Sequence, residues 1–289
     1  MVRQRSAKPL FAGSIPAVAS IATPPGFSFD ATVVSHGWFR LAPFQWSRAE
    51  RTLRRVEILD GNPVQLAITH DDALRIRTGF SRSNEVGPYT ELETKLTRMF
   101  QLNVDIAEFA VLAVASPHHA WVAEAGFGRL LCGSTLFEDA VKIITTTNTT
   151  WRQTMRMAEL LVEKCGRGGA FPEPQDILRF SPADLQRDCR LGYRALSIHR
   201  LASGIVDGSI DLDTISNPEQ TTEELFASYR SLPGIGPYGA AHLLAMDGRH
   251  DFIAVDSEFR RFVRETYHNG RRVTDATMLR RYKKWGRWQ

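Results

Sequence analysis

Residues 232–238, LPGIGPY, carry the clearest structural signal in this chain. Before it, residues 222–231 repeat apolar side chains at helical spacing, and after it residues 238–246 do so again with alanine and leucine. The prolines and glycines end the first helix and leave only a short turn before the second begins. The sequence therefore predicts two helices joined by a tight hairpin over residues 222–246.

The two glycines of this turn indicate what the hairpin can do. Gly234 and Gly236 allow a sharp turn and leave no side chain at its tip. The backbone N–H groups at the start of the second helix can then hold a phosphate, assisted by the helix dipole. Ile235, between the glycines, is expected to point inward and join the helices, and Leu232 precedes the turn. A turn of this composition can also be purely structural, and both interpretations stay open on the hairpin alone.

A carboxylate follows the hairpin at a short distance. Residues 252–255 are an apolar run that brings Asp256 to the start of a predicted helix over residues 257–267. An aspartate at this place is often only an N-cap. Because it follows Gly236 by 20 residues on the neighbouring element, it can also face whatever the hairpin holds. The predicted helix carries three arginines, Arg260, Arg261 and Arg264.

Positive charge is concentrated at the carboxyl end of the chain. The formal net charge is +4, yet residues 256–289 contain ten Arg or Lys and four acidic residues, so the rest is slightly acidic. Aromatic residues lie among these cations, namely Tyr282, Trp285 and Trp288. Such a segment suits a polyanion, because neutralised phosphates release counterions. A merely solvated basic face fits the charge equally well.

Composition is that of a globular chain, with 43% hydrophobic and 24% charged residues. The apolar runs are far shorter than the ~20 residues that a membrane span requires. The three cysteines, Cys132, Cys165 and Cys189, are too far apart in sequence for a disulfide framework or a CxxC pair. No histidine pair has metal-ligand spacing, and His242, among apolar neighbours, receives no functional role. We expect free thiols and neither a metal nor a cofactor.

The chain divides into a small β-rich part and a larger helical part. Residues 1–27, basic and without acidic residues, are predicted to be a disordered or targeting tail outside the fold. Residues 28–95 are predicted to form an antiparallel β subdomain, with strands at 31–34, 38–41, 55–58 and 64–69. Residues 96–289 are predicted to be helical, with helices near 135–144, 151–165, 183–188, 195–203 and 222–231. The predicted fold class is mainly α with this small β part (α+β).

At this point the sequence resembles the helix-hairpin-helix DNA glycosylases of base excision repair. LPGIGPY followed some eighteen residues later by Val-Asp is similar to their hairpin and Gly/Pro-Asp loop. Segments similar to the 8-oxoguanine and 3-methyladenine branches are GRLL at 128–131, LFEDA at 136–140, TTTNTTW at 145–151 and LGYRA at 191–195. The resemblance covers about residues 28–289. It implies an enzyme that flips a damaged base from double-stranded DNA and cleaves its glycosidic bond, with Asp256 as the essential carboxylate.

Two departures from the family pattern bear on the chemistry. Tyr238 stands where bifunctional members have a lysine whose amine attacks the sugar. Without an amine no Schiff base forms, so lyase activity is expected to be absent or weak. No cysteine follows Cys189, so the iron–sulfur cluster of some members is not expected. The sequence also stops within a helical pattern at residues 284–289, which leaves a missing final helix open.

The resemblance further implies a pocket for the flipped base. Tyr238 is a predicted wall, since the 3-methyladenine branch has an aromatic residue there and an electron-rich ring attracts a cationic alkylated purine. Trp151 and Tyr193 are further pocket candidates, with core packing as the alternative. Asn148 matches the asparagine that 8-oxoguanine-type enzymes insert into the vacated stack, or else it caps a helix. The candidate DNA-binding residues are Asn148, Leu232, Gly234, Ile235, Gly236, Arg260 and Arg261.

Together these observations predict a monofunctional DNA N-glycosylase that removes damaged, alkylated purines. An 8-oxoguanine-type glycosylase and a non-catalytic DNA-binding helix-hairpin-helix protein are the alternatives. The predicted partner is double-stranded DNA containing damaged bases, bound by a monomer away from any membrane. The expected location is inside the cell with the DNA, and targeting to an organelle stays open.

Overall fold

The computed structural model describes residues 17–78 and 86–289. Near its amino end lies an antiparallel sheet of five strands, in the spatial order β1-β5-β4-β3-β2. The strands are β1 (Ala17–Ile21), β2 (Gln45–Ser47), β3 (Thr52–Leu59), β4 (Asn62–His70) and β5 (Leu74–Thr78). This sheet confirms the small antiparallel β part of the predicted fold class.

The hairpin between β3 and β4 forms where the sequence carries a clear turn signal. Asp60 and Gly61 have φ values of 47° and 71°, and Leu59 pairs with Asn62 across the turn. Positive φ at both loop positions matches the twist of the paired strands, and Asp-Gly adopts it readily. Alternate residues of β4 are buried, so one face of the sheet packs on the core: Val64, Leu66 and Ile68.

Two predicted strands are helical turns instead. Residues 31–34 belong largely to helix α1 (Phe29–Val33), whose first turn is capped by the Ser28 side chain. Residues 38–41 overlap a 3-10 turn, Gly37–Arg40. Short apolar runs do not distinguish a strand from a buried helical turn, and here the local cap decides.

The predicted tail also needs correction. Residues 17–21, placed outside the fold, form β1 and pair with β5 along its whole length. Ile21 of this strand is buried in the core. Residues 1–16 of the same predicted tail lie outside the described residues.

The larger part is helical, as predicted. Within the described residues, four helices begin where a threonine side chain accepts a hydrogen bond from the amide three residues on, namely at Thr135, Thr150, Thr221 and Thr274. The helices after α1 are α2 (Val86–Met99), α3 (Ala107–Val114), α4 (Ala120–Glu124), α5 (Leu136–Thr146), α6 (Trp151–Lys164), α7 (Pro174–Ile177), α8 (Pro182–Asp188), α9 (Arg194–Val206), α10 (Leu212–Ile215), α11 (Thr222–Ser231), α12 (Pro237–Met246), α13 (Ser257–His268) and α14 (Asp275–Tyr282).

A buried ionic network joins the sheet to α5. Glu138 accepts from Arg55 of β3 at 2.9 Å and from Lys142 at 2.6 Å, and Arg55 also contacts Glu57 at 2.8 Å. Burial alone would raise the pKa of Glu138, but the two cations hold it far below its usual value. Removing one member of such a group leaves an uncompensated buried charge. The network therefore fixes α5, and the loop that follows it, against the amino-terminal part.

Two hydrophobic clusters organise the part of the chain that the structure describes. The main cluster combines the sheet with α2, α5, α6, α9, α11 and α12. A second, smaller cluster is formed by Ala113, Val263, Met278, Tyr282, Trp285 and Trp288. Helix α12 packs in the first cluster and α13 in the second. The segment between these helices, which carries Asp256, therefore lies at their junction.

The cysteines are closer in space than their sequence positions suggest. All three are buried free thiols, and the Sγ atoms of Cys165 and Cys189 lie 3.8 Å apart.

Within residues 17–78 and 86–289, no helix is both long and apolar enough for a membrane span. The same residues contain no cluster of three or more side chains suited to a metal ion.

Candidate active site

The hairpin predicted from the sequence joins α11 to α12. Gly234 has a φ of +83°, and a Cβ at this position would lie 2.7 Å from Cβ of Ser197 and 3.3 Å from Cδ1 of Ile144. A side chain is therefore disfavoured both by the backbone conformation and by the close approach of α9 and α5. Gly234 fixes how the turn packs on the rest of the protein.

Gly236 differs from Gly234 in its surroundings. It is the N-cap of α12 in an extended conformation, no side chain caps this helix, and an added Cβ would meet nothing within 4 Å. The first amides of a helix have no intrahelical acceptor, so this end of α12 is open to a ligand. Leu232 and Ile235 are buried. Their side chains support the turn, as predicted for Ile235, and only their backbone could reach a ligand.

Asp256 is the N-cap of α13. One of its carboxylate oxygens, Oδ1, accepts a hydrogen bond from the Phe259 amide at 2.7 Å. The side chain is half-buried, and its second oxygen has no hydrogen-bond partner in the described part of the chain. The N-cap interpretation therefore holds, and it leaves one oxygen free.

A pocket of about 980 Å³ is lined by Asp256. It forms where three parts of the chain meet: residues 36–38 near the amino end, residues 146–151 after α5, and the helices α12 and α13. Five residues singled out from the sequence line this one pocket: Asn148, Trp151, Tyr238, Asp256 and Arg260.

Two other candidates lie outside the pocket lining. Tyr193 is 62% exposed, and its hydroxyl accepts from Nδ2 of Asn148 at 3.2 Å, so it stands at the rim. Arg261 is exposed and donates to Glu258 at 2.7 Å and to Glu265 at 3.1 Å. A polyanion would have to compete with these carboxylates for Arg261.

The loop that carries Asn148 is fixed by hydrogen bonds from Arg194 to its backbone. Asn148 has a φ of 47°, a left-handed conformation that asparagine tolerates better than most residues. The buried guanidinium of Arg194 donates to the carbonyl oxygens of Thr147 and Asn148. The cap of the following helix is Thr150, which forms a capping box with Gln153, so Asn148 is not the helix cap.

Three ring-bearing residues of the pocket received no role from the sequence: His36, Trp38 and His242. The His242 ring stacks on Trp38 with centroids 5.2 Å apart and planes at 17°, and it lies 5.8 Å from the Tyr238 ring. The His36 ring lies 4.7 Å from Trp38 and 5.7 Å from His242. His242 follows Tyr238 by four residues, a spacing that places both on one face of α12. That spacing was a usable signal.

The amino-terminal part closes the pocket through a glycine. A Cβ at Gly37 would lie 2.4 Å from the ring of Trp151, so the ring rests directly on the backbone. No local pattern reveals this contact, because the two residues are more than 100 positions apart in the chain. Trp151 is thereby fixed as a wall of the pocket.

Burial controls the protonation of the pocket. It lowers the pKa of His36 well below 6.5, with a further contribution from His242. It also lowers the pKa of His242, although Asp139 and Asp256 oppose the shift. Burial and then the Asp256 charge raise the pKa of Tyr238. At neutral pH the pocket thus holds two neutral imidazoles and a protonated phenol.

Comparison with known proteins agrees with this architecture. The family model described as HhH-GPD superfamily base excision DNA repair protein matches residues 141–287. The chain therefore belongs to the HhH-GPD superfamily, a family of base excision repair DNA glycosylases, and the suspected resemblance is confirmed. No curated protein sequence matches the chain significantly.

Solved structures share the fold over nearly the whole chain. The 3-methyladenine DNA-glycosylase from Archaeoglobus fulgidus is 19% identical, with 94% of each chain covered and a TM-score of 0.74. The Clostridium acetobutylicum 8-oxoguanine glycosylase/lyase, bound to dsDNA containing cytosine opposite 8-oxoG, is 17% identical, covers 91% of this chain and 88% of its own, and has a TM-score of 0.68. MBOgg1 in complex with a low affinity DNA ligand is 20% identical and has a TM-score of 0.72. The match covers 96% of this chain and 92% of the MBOgg1 chain.

Proposed function

We propose that this protein is a monofunctional DNA N-glycosylase that removes alkylated purines from double-stranded DNA. The observation that carries the proposal is that Asp256 and Tyr238 line the same pocket. Tyr238 lies two residues after Gly236, at the open end of α12. A strand held by its phosphate at that end would place a flipped nucleotide near both side chains.

Asp256 supplies the chemistry in this proposal. Cleavage of an N-glycosidic bond builds positive charge on the sugar as the base leaves, and a carboxylate beside C1′ stabilises that charge. The Phe259 amide holds Oδ1, so the second oxygen is left to face the sugar or to orient the attacking water. The amino end of α13 favours the negative charge there.

The walls of the pocket favour a cationic base. They combine the aromatic rings of Trp38, Trp151 and Tyr238 with two imidazoles that are neutral at pH 7. An aromatic face attracts a desolvated cation by ~2 kcal/mol. Among the described lining residues the cationic side chain is Arg260, which is already paired with Asp275 at 2.8 Å. An alkylated purine also leaves readily, so it needs little acid catalysis.

The absence of an amine supports hydrolysis without lyase chemistry. Tyr238 takes the place of the lysine, and no lysine lines the pocket among the residues that the structure describes. A Schiff base with the sugar requires such an amine. We therefore expect an intact abasic strand as product.

An 8-oxoguanine-type enzyme is the second candidate. It is favoured by Asn148 at the pocket rim, where Arg194 holds its loop and Tyr193 contacts its amide. The third candidate, a DNA-binding protein without catalysis, is disfavoured by the free oxygen of Asp256 in a pocket. Binding of a phosphate backbone requires neither an unpaired carboxylate oxygen nor a pocket.

A panel of duplexes, each with one lesion, tests these alternatives. The lesions are 7-methylguanine, 1,N6-ethenoadenine, hypoxanthine and 8-oxoguanine, and hot alkali reveals abasic sites as strand breaks. We expect breaks at the alkylated bases after alkali, no breaks without it, and no covalent adduct after borohydride. Release of 8-oxoguanine alone would favour the second candidate. Binding without release of any base would favour the third.

A further inference from the structure

Two histidines of the pocket have no role in the mechanism above beyond forming neutral walls. His36 lies just before the 3-10 turn, and His242 lies on the α12 face that also carries Tyr238. Their rings are 5.7 Å apart and both contact Trp38. These rings therefore form a compact group on one side of the pocket.

One hydrogen bond of the His36 ring defines its tautomer. Its Nε2 lies 2.7 Å from the carbonyl oxygen of Leu131. A carbonyl only accepts, so Nε2 carries the proton, and Nδ1 of the neutral ring keeps its lone pair. Nδ1 therefore can accept a hydrogen bond and cannot donate one.

The remaining ring nitrogens are open to the pocket. In the described chain neither Nδ1 of His36 nor the nitrogens of His242 form a hydrogen bond with protein. The fully buried side-chain nitrogens and oxygens that lack a partner belong to other described residues. The free nitrogens of His36 and His242 are therefore accessible to solvent. Both residues line the pocket, so a base bound there lies within reach of their rings.

The group is held rigidly. Trp38 is buried and donates from Nε1 to Oδ1 of Asp139 at 2.8 Å. Asp139 in turn accepts from Arg98 at 2.6 Å and from the Gly133 amide at 2.7 Å. Because Trp38 cannot turn, the imidazole stacked on it keeps its position. A preorganised acceptor binds with little loss of conformational entropy.

We propose that His36 and His242 select the flipped base by hydrogen bonds to its edge, with Nδ1 of His36 accepting from an N–H of a purine. His242, neutral and with one donor and one acceptor, provides the second contact. This inference rests on the proposed function and adds its substrate class: purines that keep an N–H group at the bound edge. A base without that group leaves the acceptor desolvated and unpaired, which costs about tenfold or more in rate.

The test compares two lesions that differ at this edge. 7-Methylguanine keeps ring and exocyclic N–H groups, whereas 1,N6-ethenoadenine has none. Single-turnover excision rates are measured for wild type, His242→Phe and His36→Gln. His242→Phe keeps the ring on Trp38 and breaks no protein hydrogen bond. His36→Gln keeps an amide donor for Leu131 but moves the acceptor. His199→Phe, on α9 outside the pocket, is the matched control.

We expect each pocket variant to lower the rate on 7-methylguanine about tenfold and the rate on 1,N6-ethenoadenine by no more than about twofold. The control should keep both rates. An equal loss on both lesions, or no loss on either, overturns the inference. Melting temperature and affinity for undamaged duplex, both expected to be unchanged, exclude a folding defect. Failure of the wild type to release any base would instead refute the proposed function.

Discussion

The two walls of the pocket differ in how the chain builds them. One wall comes from α12 and α13, whose pocket residues Tyr238, His242 and Asp256 lie within 19 positions of one another. The other comes from residues 36–38 and 146–151, which meet through packing of the sheet against α5 and α6. The first wall carries the proposed carboxylate together with Tyr238 and His242, and the second wall closes the space for the base. Base preference can therefore change while the hairpin motif stays constant.

The largest effect is expected on the first wall, for Asp256→Asn. Asparagine caps a helix as well as aspartate does, so the fold should be kept while the charge is lost. Excision should fall by about 10²–10⁴-fold, because the sugar cation loses its carboxylate. Affinity for duplex DNA should stay within about twofold, since phosphate contacts need no carboxylate. Single-turnover rates and a binding titration measure both quantities.

A matched control for Asp256→Asn is available in the same chain. Asp211 is the N-cap of α10, where its side chain accepts from the amides of Asp213 and Thr214. It lies outside the pocket lining, so Asp211→Asn should change neither rate nor affinity. Unchanged excision by Asp256→Asn would remove this residue from the mechanism.

The next largest effect is expected on the second wall, for Gly37→Ala. The new methyl group would overlap the Trp151 ring, because an added Cβ lies 2.4 Å from it. Such overpacking costs about 1–3 kcal/mol, a melting temperature lower by several degrees. A wall displaced by about 1 Å can reduce excision by up to ~10²-fold. Calorimetry and the lesion panel measure the two effects.

Trp151→Phe provides the control for Gly37→Ala. Its smaller ring leaves room for the methyl group, so the double variant should regain part of the lost stability. A purely additive loss in the double variant would mean that the two residues do not interact. If Gly37→Ala alone is as stable as the wild type, the second wall can shift to accommodate the methyl group.

A smaller effect is expected at the hairpin tip, for Gly236→Ala. The added Cβ meets no protein atom within 4 Å, so stability should be unchanged. A phosphate approaching the first amides of α12 would meet the methyl group, and loss of one such hydrogen bond weakens binding about tenfold. Fluorescence anisotropy should detect the same loss on damaged and undamaged duplexes. A loss confined to one lesion would contradict phosphate binding here.

How much of this could be read from the sequence depends on the distance between partners in the chain. The hairpin is predictable because glycine and proline act locally, at Gly234 and Pro237. Asp256 is predictable because it follows the hairpin closely. His36 was not, since its contact with His242 joins positions some 200 residues apart. Tyr193 was placed in the pocket by resemblance, but it lies at the rim because its ring is exposed.

Short apolar segments were the other source of error. Residues 31–34 and 38–41 were predicted as strands, yet they form α1 and the 3-10 turn. Alternation over two or three residues is too brief to distinguish the two-residue period of a strand from the period of a helix. These turns bring His36, Gly37 and Trp38 to the pocket, so the least predictable part of the fold contributes to the second wall.

The smallest expected effect concerns the pH dependence of stability on this second wall. The unfolded chain protonates His36 near 6.5, whereas burial and the neighbouring His242 lower its pKa in the folded protein to about 3. Between these values the unfolded state binds more protons, so stability falls as the pH falls. At about pH 5.5 this amounts to ~1 kcal/mol, a few degrees in melting temperature.

His36→Gln isolates this contribution, because glutamine does not titrate. Other groups also change with pH: burial lowers the pKa of His242, which acts in the same direction, and it raises the pKa of Asp247 to about 6, which acts in the opposite direction. Both are common to the two proteins and cancel in the difference. The variant should therefore lose less stability than wild type between pH 7.5 and about pH 5.5. Equal slopes would mean that His36 is as hydrated in the folded protein as in the unfolded chain, and that the second wall is open to water.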